Sequence, residues 1–428
     1  MDNIGDIVKY YRVLEGMTQE ELAKGIISSS YLSKIENNLD KPSTEVLSLL
    51  KERLNIKDEM FISNQTLVGE LMDWYKDITT KNFADAEAFY DNNKQRFNVT
   101  TDLTTLFYFK IFEAYYFLLN SRTEDGIQYF EELQYDIDSL NDKQSYFYYR
   151  ISGYYYFFHS YFSFALDSFK KAERVLNETI NVEEWDVAEL YYMLGMTSSR
   201  LRLEQQAIYF TTKALEVYKN IYNLSRLAEC HLLLGISYGR TDFFDFAENN
   251  YLKAKKIADS LDYKILLSKV HHNMAYLNIK KGESEEAIRG LKSSYYYKLD
   301  CNVQEQEFLP TIFSLINEYL RISDIENCRI WINEGMKINE NNSVVLSLDY
   351  DIHFNTINKY INQSDDFEEY CLTTTIPHFK EKNKDEYTAR YSHLLGVFYE
   401  NINKYKQASM KYKESLFLLN KNLGGFLL

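Results

Sequence analysis

Side chains that form hydrogen bonds are concentrated in one segment near the N-terminus, Thr18 to Ser43, which reads TQEELAKGIISSSYLSKIENNLDKPS. Leu32 and Ile35 are the apolar positions of a short helix, and Ser28 is suited to cap its N-terminus. This spacing leaves five polar residues on the outer face of that helix: Ser29, Ser30, Ser33, Lys34 and Asn37. Hydroxyl, ammonium and amide groups arranged in this way can recognise another molecule by hydrogen bonding.

The sequence offers less for catalysis. It contains neither the HExxH pattern of zinc hydrolases nor a Walker loop for phosphates. The seven histidines are scattered, and the adjacent His271 and His272 fall on different faces of a helix, so they cannot bind one metal ion together. We therefore predict that the protein is not an enzyme and has no cofactor and no metal site.

Composition restricts the fold and the compartment. The chain has 428 residues, of which 45% are hydrophobic and 26% charged, with a net charge of −15. Only 3 Pro and 15 Gly are present, too few turn residues for an all-β fold, so we predict an all-α protein. Four widely spaced cysteines without a CxxC pair suit a reducing cytosol. We also expect neither a signal peptide nor a membrane partner, and hence a cytoplasmic protein.

Further signals divide the first 60 residues into short helices. Thr18 and Glu21 have the spacing of a capping box, and Gly25 permits a sharp exit from the helix that the box begins. Apolar residues at helical spacing define a first helix and a fourth helix after Pro42: Ile4, Ile7, Val8, Tyr11 and Leu14 in the first, and Val46, Leu47, Leu50 and Leu54 in the fourth. Four or five helices in this length, with a short third helix that is polar outside, predict a helix-turn-helix domain.

The segments TQEELA, SYLSKIEN and KPS together resemble the phage-repressor (XRE-type) helix-turn-helix. The shortened turn in AKGIISSSYLSKIE resembles the NprR and PlcR branch of the peptide-pheromone regulators of Gram-positive bacteria, the RRNPP group. This resemblance implies that Ser29, Ser30 and Lys34 meet base edges in the major groove of double-stranded DNA. It places Gln19, Asn37 and Lys41 at phosphates. Ser33, on the outer face of the same helix, completes the predicted DNA-binding residues.

Some of these residues also have a structural interpretation. The serines favour a helix N-terminus whether or not they contact DNA, and the two roles are compatible. Arg12 and Glu36 match the family's internal ion pair, which would orient the recognition helix. Residues 1–60 carry eight Lys and Arg against eleven Asp and Glu, a net charge of −3. DNA binding would then depend on a few positioned cations and on a dimer with two heads on neighbouring half-sites.

The rest of the chain repeats a pattern of small and aromatic residues. A glycine or alanine is followed by alanine twelve residues later, by a large residue at sixteen (Thr211 instead in the copy from Gly195) and by a small residue at nineteen. The strong copies begin at Gly153, Gly195, Gly235, Ala275 and Gly396, and weaker copies begin at Trp74, Ala114 and Ile316. Close approach of two antiparallel helices requires small residues at the crossing, so the pattern predicts tetratricopeptide (TPR) repeats.

We therefore predict an N-terminal helix-turn-helix domain followed by a right-handed TPR superhelix of about nine helix pairs. The predicted domains are the head (residues 1–60), a linker (residues 61–66) and the repeat array (residues 67–428). The concave groove of such an array suits an extended peptide. Because each repeat contacts mainly its neighbours, we expect the array to fold without the head.

Positively charged residues recur five positions after the small-residue column of successive repeats: Arg200, Arg240, Lys280 and Arg321. They form either a ladder that binds an acidic peptide or a set of cations that interact with the C-terminal ends of the first helices. Polar residues accompany them, and Asn273 resembles the family's groove asparagine that holds the peptide backbone. The remaining predicted peptide-binding residues are His272, Tyr276 and Asn317.

The resemblance thus implies a quorum-sensing transcription regulator that binds DNA through its head and a short signalling peptide in the TPR groove. It further implies a homo-oligomer, either a dimer or a tetramer. The alternative is a protein-interaction regulator of the Rap type, whose array would sequester a phosphorelay response regulator. The sequence leaves both functions open.

Overall fold

The computed structural model describes residues 4–37, 39–55, 64–98, 100, 102–120, 123–133, 139–178, 180, 182–340 and 345–422. Every regular element in this part of the chain is helical, which confirms the all-α prediction. The chain forms two compact units, residues 1–217 and 218–428. No helix among the described residues is long and apolar enough to cross a membrane.

Four short helices form the head: α1 (Ile4–Leu14), α2 (Gln19–Ala23), α3 (Ser29–Glu36) and α4 (Thr44–Arg53). They surround a small core of fully buried residues that includes the predicted positions Val8, Leu22, Leu32 and Leu50. The side chains of Ile7 and Leu14 and the predicted linker up to residue 63 lie outside the described residues. The head therefore has the four helices, and the separate core, of a helix-turn-helix domain.

The helix ends of the head are set by local side chains, as the sequence predicted. Thr18 and Glu21 form a complete capping box at α2. Ser28 caps α3 and Ser43 caps α4, each through a hydroxyl that accepts from a backbone N–H three residues on. Gly25 has a positive φ of 78°, which gives the sharp exit after α2.

Longer helices, mostly of 16–18 residues, make up the rest of the described chain. The first unit contains α5 (Asn64–Thr79), α6 (Phe83–Asn98), α7 (Leu103–Leu119), α8 (Thr123–Glu132), α9 (Asp142–Phe158), α10 (Phe162–Glu178), α11 (Glu184–Arg200) and most of α12 (Glu204–Asn220). The second unit contains α13 (Leu224–Arg240), α14 (Phe244–Ser260), α15 (Lys264–Lys281), α16 (Ser284–Asp300), α17 (Leu309–Arg321), α18 (Ile325–Glu340), α19 (Val345–Ile361), α20 (Phe367–Tyr370), α21 (Ile376–Glu381), α22 (Asp385–Asn401) and α23 (Tyr405–Asn422).

These helices form nine pairs over the described residues, the number that the repeat spacing predicted. In the eighth pair the second helix is interrupted, because a five-residue π segment, Cys371–Thr375, joins α20 to α21. Pro377 lies in the first turn of α21, where its missing N–H costs no helical hydrogen bond.

The small residues of the repeat pattern lie where the helices of a pair cross. A Cβ atom added to Gly153 would lie 2.4 Å from the ring of Phe169, and one on Gly235 would lie 2.4 Å from that of Tyr251. Gly195 has the same relation to the Thr211 hydroxyl, at 2.4 Å. The predicted columns are therefore real crossing points, and glycine is required there by space.

The turns within the pairs share a backbone conformation that the repeat pattern did not predict. A residue in the left-handed region, with φ between 50° and 84°, recurs about every forty residues in the described turns: Lys81, Ser160, Arg202, Asp242, Gly282, Ser323, Gln363 and Asn403. Only one of these is glycine, so the conformation is imposed by the packing of the two helices rather than by an intrinsic preference.

Candidate functional sites

The exposed face of α3 carries the residues that were predicted to recognise DNA. Ser30 and Lys34 are exposed, whereas Ser29 and Ser33 are half-buried beside them. The Ser30 hydroxyl lies 3.1 Å from that of Ser28, the capping residue. The serine cluster therefore does serve the helix N-terminus, and Ser30 and Lys34 remain accessible from outside.

A buried carboxylate orients this helix. Glu36, 1% exposed, accepts hydrogen bonds from Arg12 Nε at 2.6 Å and Nη2 at 2.9 Å. The Gln19 side chain also donates to Glu36, with Nε2 2.7 Å from Oε2. The hydrogen bond with Glu36 raises the pKa of Arg12. The predicted Arg12–Glu36 ion pair is confirmed, and α1, α2 and α3 each contribute one residue to the cluster.

The structure places the predicted phosphate-binding residues in different environments. Gln19 uses one amide N–H inside the Glu36 cluster. The Asn37 side chain donates to the Ser33 carbonyl at 2.8 Å, at the C-terminus of α3. Lys41 is exposed in the segment that follows. Asn37 and Lys41 thus flank the accessible end of α3, whereas Gln19 uses part of its amide group to hold Glu36.

A cavity of about 880 Å³ lies in the second unit. It brings together five of the predicted peptide-binding residues: His272, Tyr276 and Lys280 from α15 and Asn317 and Arg321 from α17. The helices α19 and α22 contribute Tyr350, Tyr387 and Arg390 to its wall. Asn273 and Arg240 do not line this cavity, and Arg200 belongs to the first unit.

Two of the predicted ladder cations reach back to the preceding repeat. Lys280 Nζ donates to the Gly239 carbonyl and to Asp242 Oδ1, both at 3.0 Å, at the C-terminus of α13. Arg321 pairs with Glu318, at 2.9 Å, and donates to the Ser284 hydroxyl. Lys280 therefore contacts the C-terminal end of the preceding first helix rather than that of α15, and both cations also line the cavity.

The predicted backbone-binding asparagine is bonded to its own helix. The Asn273 side chain donates to the Lys269 carbonyl at 2.8 Å. His272, one residue earlier, lines the cavity and lies 3.2 Å from the Thr311 hydroxyl through Nδ1. Burial, and secondarily the nearby Lys298 ammonium, lower the pKa of His272 to about 4. The ring is therefore neutral at physiological pH.

The sequence pattern did not predict the groups that α17, α19 and α22 contribute to the cavity beyond Asn317 and Arg321. Phe313 lines the cavity, and the guanidinium of Arg390 lies 5.3 Å from the centre of its ring. A register in the sequence could have predicted these residues. On three helices the residue three positions before the small-residue column and the residue one position after it both line the cavity: His272 and Tyr276, Phe313 and Asn317, and His393 and Val397. The predicted register of cations covers only the position five residues after the column.

One catalytic pattern was also overlooked. Residues 235–239, GISYG, match the letters of the GxSxG nucleophile motif. They lie inside α13, and Ser237 is fully buried. A nucleophile elbow requires a strand, a tight turn and an exposed serine. The match is therefore a consequence of the small-residue column at Gly235.

The head presents an exposed polar α3, and the paired helices enclose a cavity large enough for a ligand. This combination defines a helix-turn-helix regulator with TPR-like repeats. Residues 8–61 match the helix-turn-helix family HTH_3. The chain is 36% identical over 406 residues to the transcriptional activator NprA of Geobacillus stearothermophilus, covering 93% of this chain and 99% of the relative. It therefore belongs to the NprA family of transcription regulators, within the RRNPP group.

Solved structures show the same fold. The apo form of the quorum sensor NprR from B. thuringiensis superposes with a TM-score of 0.70, at 17% identity, and covers 83% of this chain and 99% of its own. NprR in complex with its cognate peptide NprX gives a TM-score of 0.61, at 18% identity, with 84% and 99% covered. The predicted combination of a helix-turn-helix with helical repeats is thereby confirmed.

Proposed function

We propose that the chain is a cytoplasmic quorum-sensing transcription regulator. It binds double-stranded DNA through α3 and is controlled by a short signalling peptide in the cavity between α15, α17, α19 and α22. The observation that carries the proposal is the occurrence, in one chain of the NprA family, of an exposed polar α3 and a repeat cavity lined by the predicted residues. It acts by binding and not as an enzyme.

The head supports the DNA-binding half of the proposal. Glu36 fixes α3 against α1 and α2, so the helix is held before DNA arrives. Ser29, Ser30, Ser33 and Lys34 then face the base edges, and Asn37 and Lys41 contact phosphates. Gln19 contributes its remaining amide proton to a phosphate while it holds Glu36. Because the head carries a net charge of −3, a homo-oligomer with two heads on one site supplies the affinity.

The cavity supports the peptide-binding half. Its volume of about 880 Å³ lies in the range that ligand-binding pockets occupy. Aromatic rings from Tyr276, Phe313 and Tyr387 provide apolar surface, while Lys280, Arg321 and Arg390 provide positive charge beside Glu318 and Glu386. NprR, whose fold this chain shares, has been solved with its cognate peptide. Sequestration of a response regulator, the alternative raised by the sequence, stays a prediction.

Replacing Lys34 with alanine tests the DNA-binding half. The full chain is used to select its preferred site from random duplexes, and the variant is then measured on that site by footprinting and titration. Loss of a cation that reads a base should cost about 1–3 kcal/mol and relax the preference at that base. Lys171→Ala, which removes an exposed lysine of α10, is the matched control. Unchanged affinity and base preference for Lys34→Ala would remove Lys34 from the reading surface.

A further inference from the structure

Two buried side chains and the half-buried His272 form a hydrogen-bonded series that ends at the wall of the cavity. Lys298, on α16, is 8% exposed and donates through Nζ to the Glu307 carbonyl at 2.7 Å and to Thr311 Oγ1 at 2.8 Å. Thr311, on α17, is fully buried. Its hydroxyl lies 3.2 Å from Nδ1 of His272, which lines the cavity. The order of the series is thus Lys298, Thr311, His272.

The chemistry of these groups fixes the direction of each hydrogen bond. An ammonium group can only donate, so Thr311 Oγ1 accepts from Lys298. A fully buried hydroxyl needs an acceptor for its own proton, and among the described contacts of Thr311 the acceptor is His272 Nδ1. The Nδ1 atom is therefore the unprotonated nitrogen of the ring. In a neutral imidazole the proton then resides on Nε2.

The neutral ring limits what His272 can bind from the cavity. An uncharged N–H donor suits an uncharged acceptor, and a carbonyl oxygen is the acceptor that every residue of a peptide carries. The Nε2–H group of His272 therefore matches a main-chain carbonyl.

We propose that His272 binds the peptide as a neutral Nε2–H donor to a main-chain carbonyl, and that Lys298 and Thr311 are positioning residues that fix this tautomer. This inference rests on the proposed function and specifies its chemistry. Because the acceptor is a main-chain carbonyl, the contact does not depend on a particular side chain of the peptide.

The first test requires no ligand. The full chain is labelled with ¹⁵N-histidine, and the His272 signals are assigned by their loss in His272→Gln. We expect the Nε2–H tautomer in the wild-type chain and in Thr311→Ser, which keeps the hydroxyl. Thr311→Val, which has the same shape without the hydroxyl, should give a mixture of tautomers. An Nδ1–H or charged ring in the wild-type chain, or an unchanged spectrum in Thr311→Val, would overturn the assignment.

The second test uses a heptapeptide selected from a synthetic random library by its affinity for the full chain. His272→Leu, which has no donor, should weaken binding about ten- to a hundredfold, whereas His272→Gln should restore most of the affinity. Replacing the peptide bonds one by one with esters should identify one carbonyl whose weakening affects the wild-type chain but not His272→Leu.

The outcomes separate the two levels of the proposal. If a peptide binds and both His272 variants bind it like the wild-type chain, the inference is wrong while the proposed function stands. If circular dichroism shows that His272→Leu is unfolded, the ester series on the wild-type chain and His272→Gln decides, and an ester series without effect contradicts the inference. If no peptide binds the wild-type chain, the proposed function itself fails.

Discussion

The head and the repeats that follow it are each organised around a buried carboxylate, but the two carboxylates have different partners. Glu36 in the head accepts from Arg12 and Gln19, and the Arg12 side chain is still 12% exposed. Asp186 in the repeats accepts from the hydroxyls of Tyr75 at 2.7 Å and Tyr146 at 2.9 Å and pairs with a fully buried arginine.

Aromatic side chains pack around the ion pair of Asp186. Its ion-pair partner Arg150 lies 5.4 Å from the centre of the Tyr75 ring, and Tyr75 packs against Phe112 and Phe147. Burial raises the pKa of Tyr75 and Tyr146, so both hydroxyls stay protonated and donate. The difference lies in the cation, because the head leaves Arg12 partly exposed, whereas the repeats bury Arg150 completely among helices of separate pairs.

The largest effect should follow from removing the enclosed carboxylate. Asp186→Ala leaves the Arg150 charge buried without its partner, which we expect to lower the free energy of unfolding by about 3–5 kcal/mol. Asp167→Ala is the control, because Asp167 pairs with Lys171 on the surface and such pairs contribute about 0–1 kcal/mol. Denaturant titration of both variants measures the difference. Equal losses would show that Asp186 is no more important than a surface acid.

A smaller effect is expected in the head. Glu36→Ala should lower stability by about 2–4 kcal/mol, less than Asp186→Ala, because Arg12 can turn toward water. It should also weaken DNA binding, since α3 loses its link to α1 and α2. Glu45→Ala, an exposed acid in the first turn of α4, is the control with the same change of charge. If Glu36→Ala keeps full DNA affinity, the ion pair serves stability alone.

Lys298 is a buried lysine whose described partners are a carbonyl and a hydroxyl rather than a carboxylate. Burial lowers the pKa of Lys298 to about 8, below its usual value near 10.4, because the charged form is poorly solvated. The unfolded chain therefore binds more protons between these pH values, so stability should rise across this range as the folded lysine becomes neutral.

Lys298→Met should remove that rise. Below pH 8 we expect the variant to gain about 1–3 kcal/mol relative to the wild-type chain, and the gain should shrink toward pH 10.4. Unfolding titrations of both proteins at several pH values measure the difference. A difference that does not change with pH would show that Lys298 keeps its ordinary pKa. Lys255→Met, at a more exposed lysine of α14, should show no such trend.

The sequence by itself determined the features that depend on neighbouring residues. The capping box of Thr18 and Glu21 and the caps at Ser28 and Ser43 follow from spacings of three residues. The crossing points at Gly153 and Gly235 follow from a repeat in which one small residue recurs with fixed partners. The Arg12–Glu36 pair was predictable because it belongs to a known motif. In all these cases the partners have a constant separation along the chain.

Only the tertiary structure decided the contacts whose partners are far apart or belong to no repeated position. Tyr75 and Asp186 are 111 residues apart, and no periodicity connects them. The sequence placed Lys280 and Asn273 on the cavity side, but it could not show that Lys280 contacts the turn of the preceding repeat or that Asn273 bonds to its own helix. A side chain has several acceptors within its reach, and its choice depends on how the packed helices rotate and shift against each other.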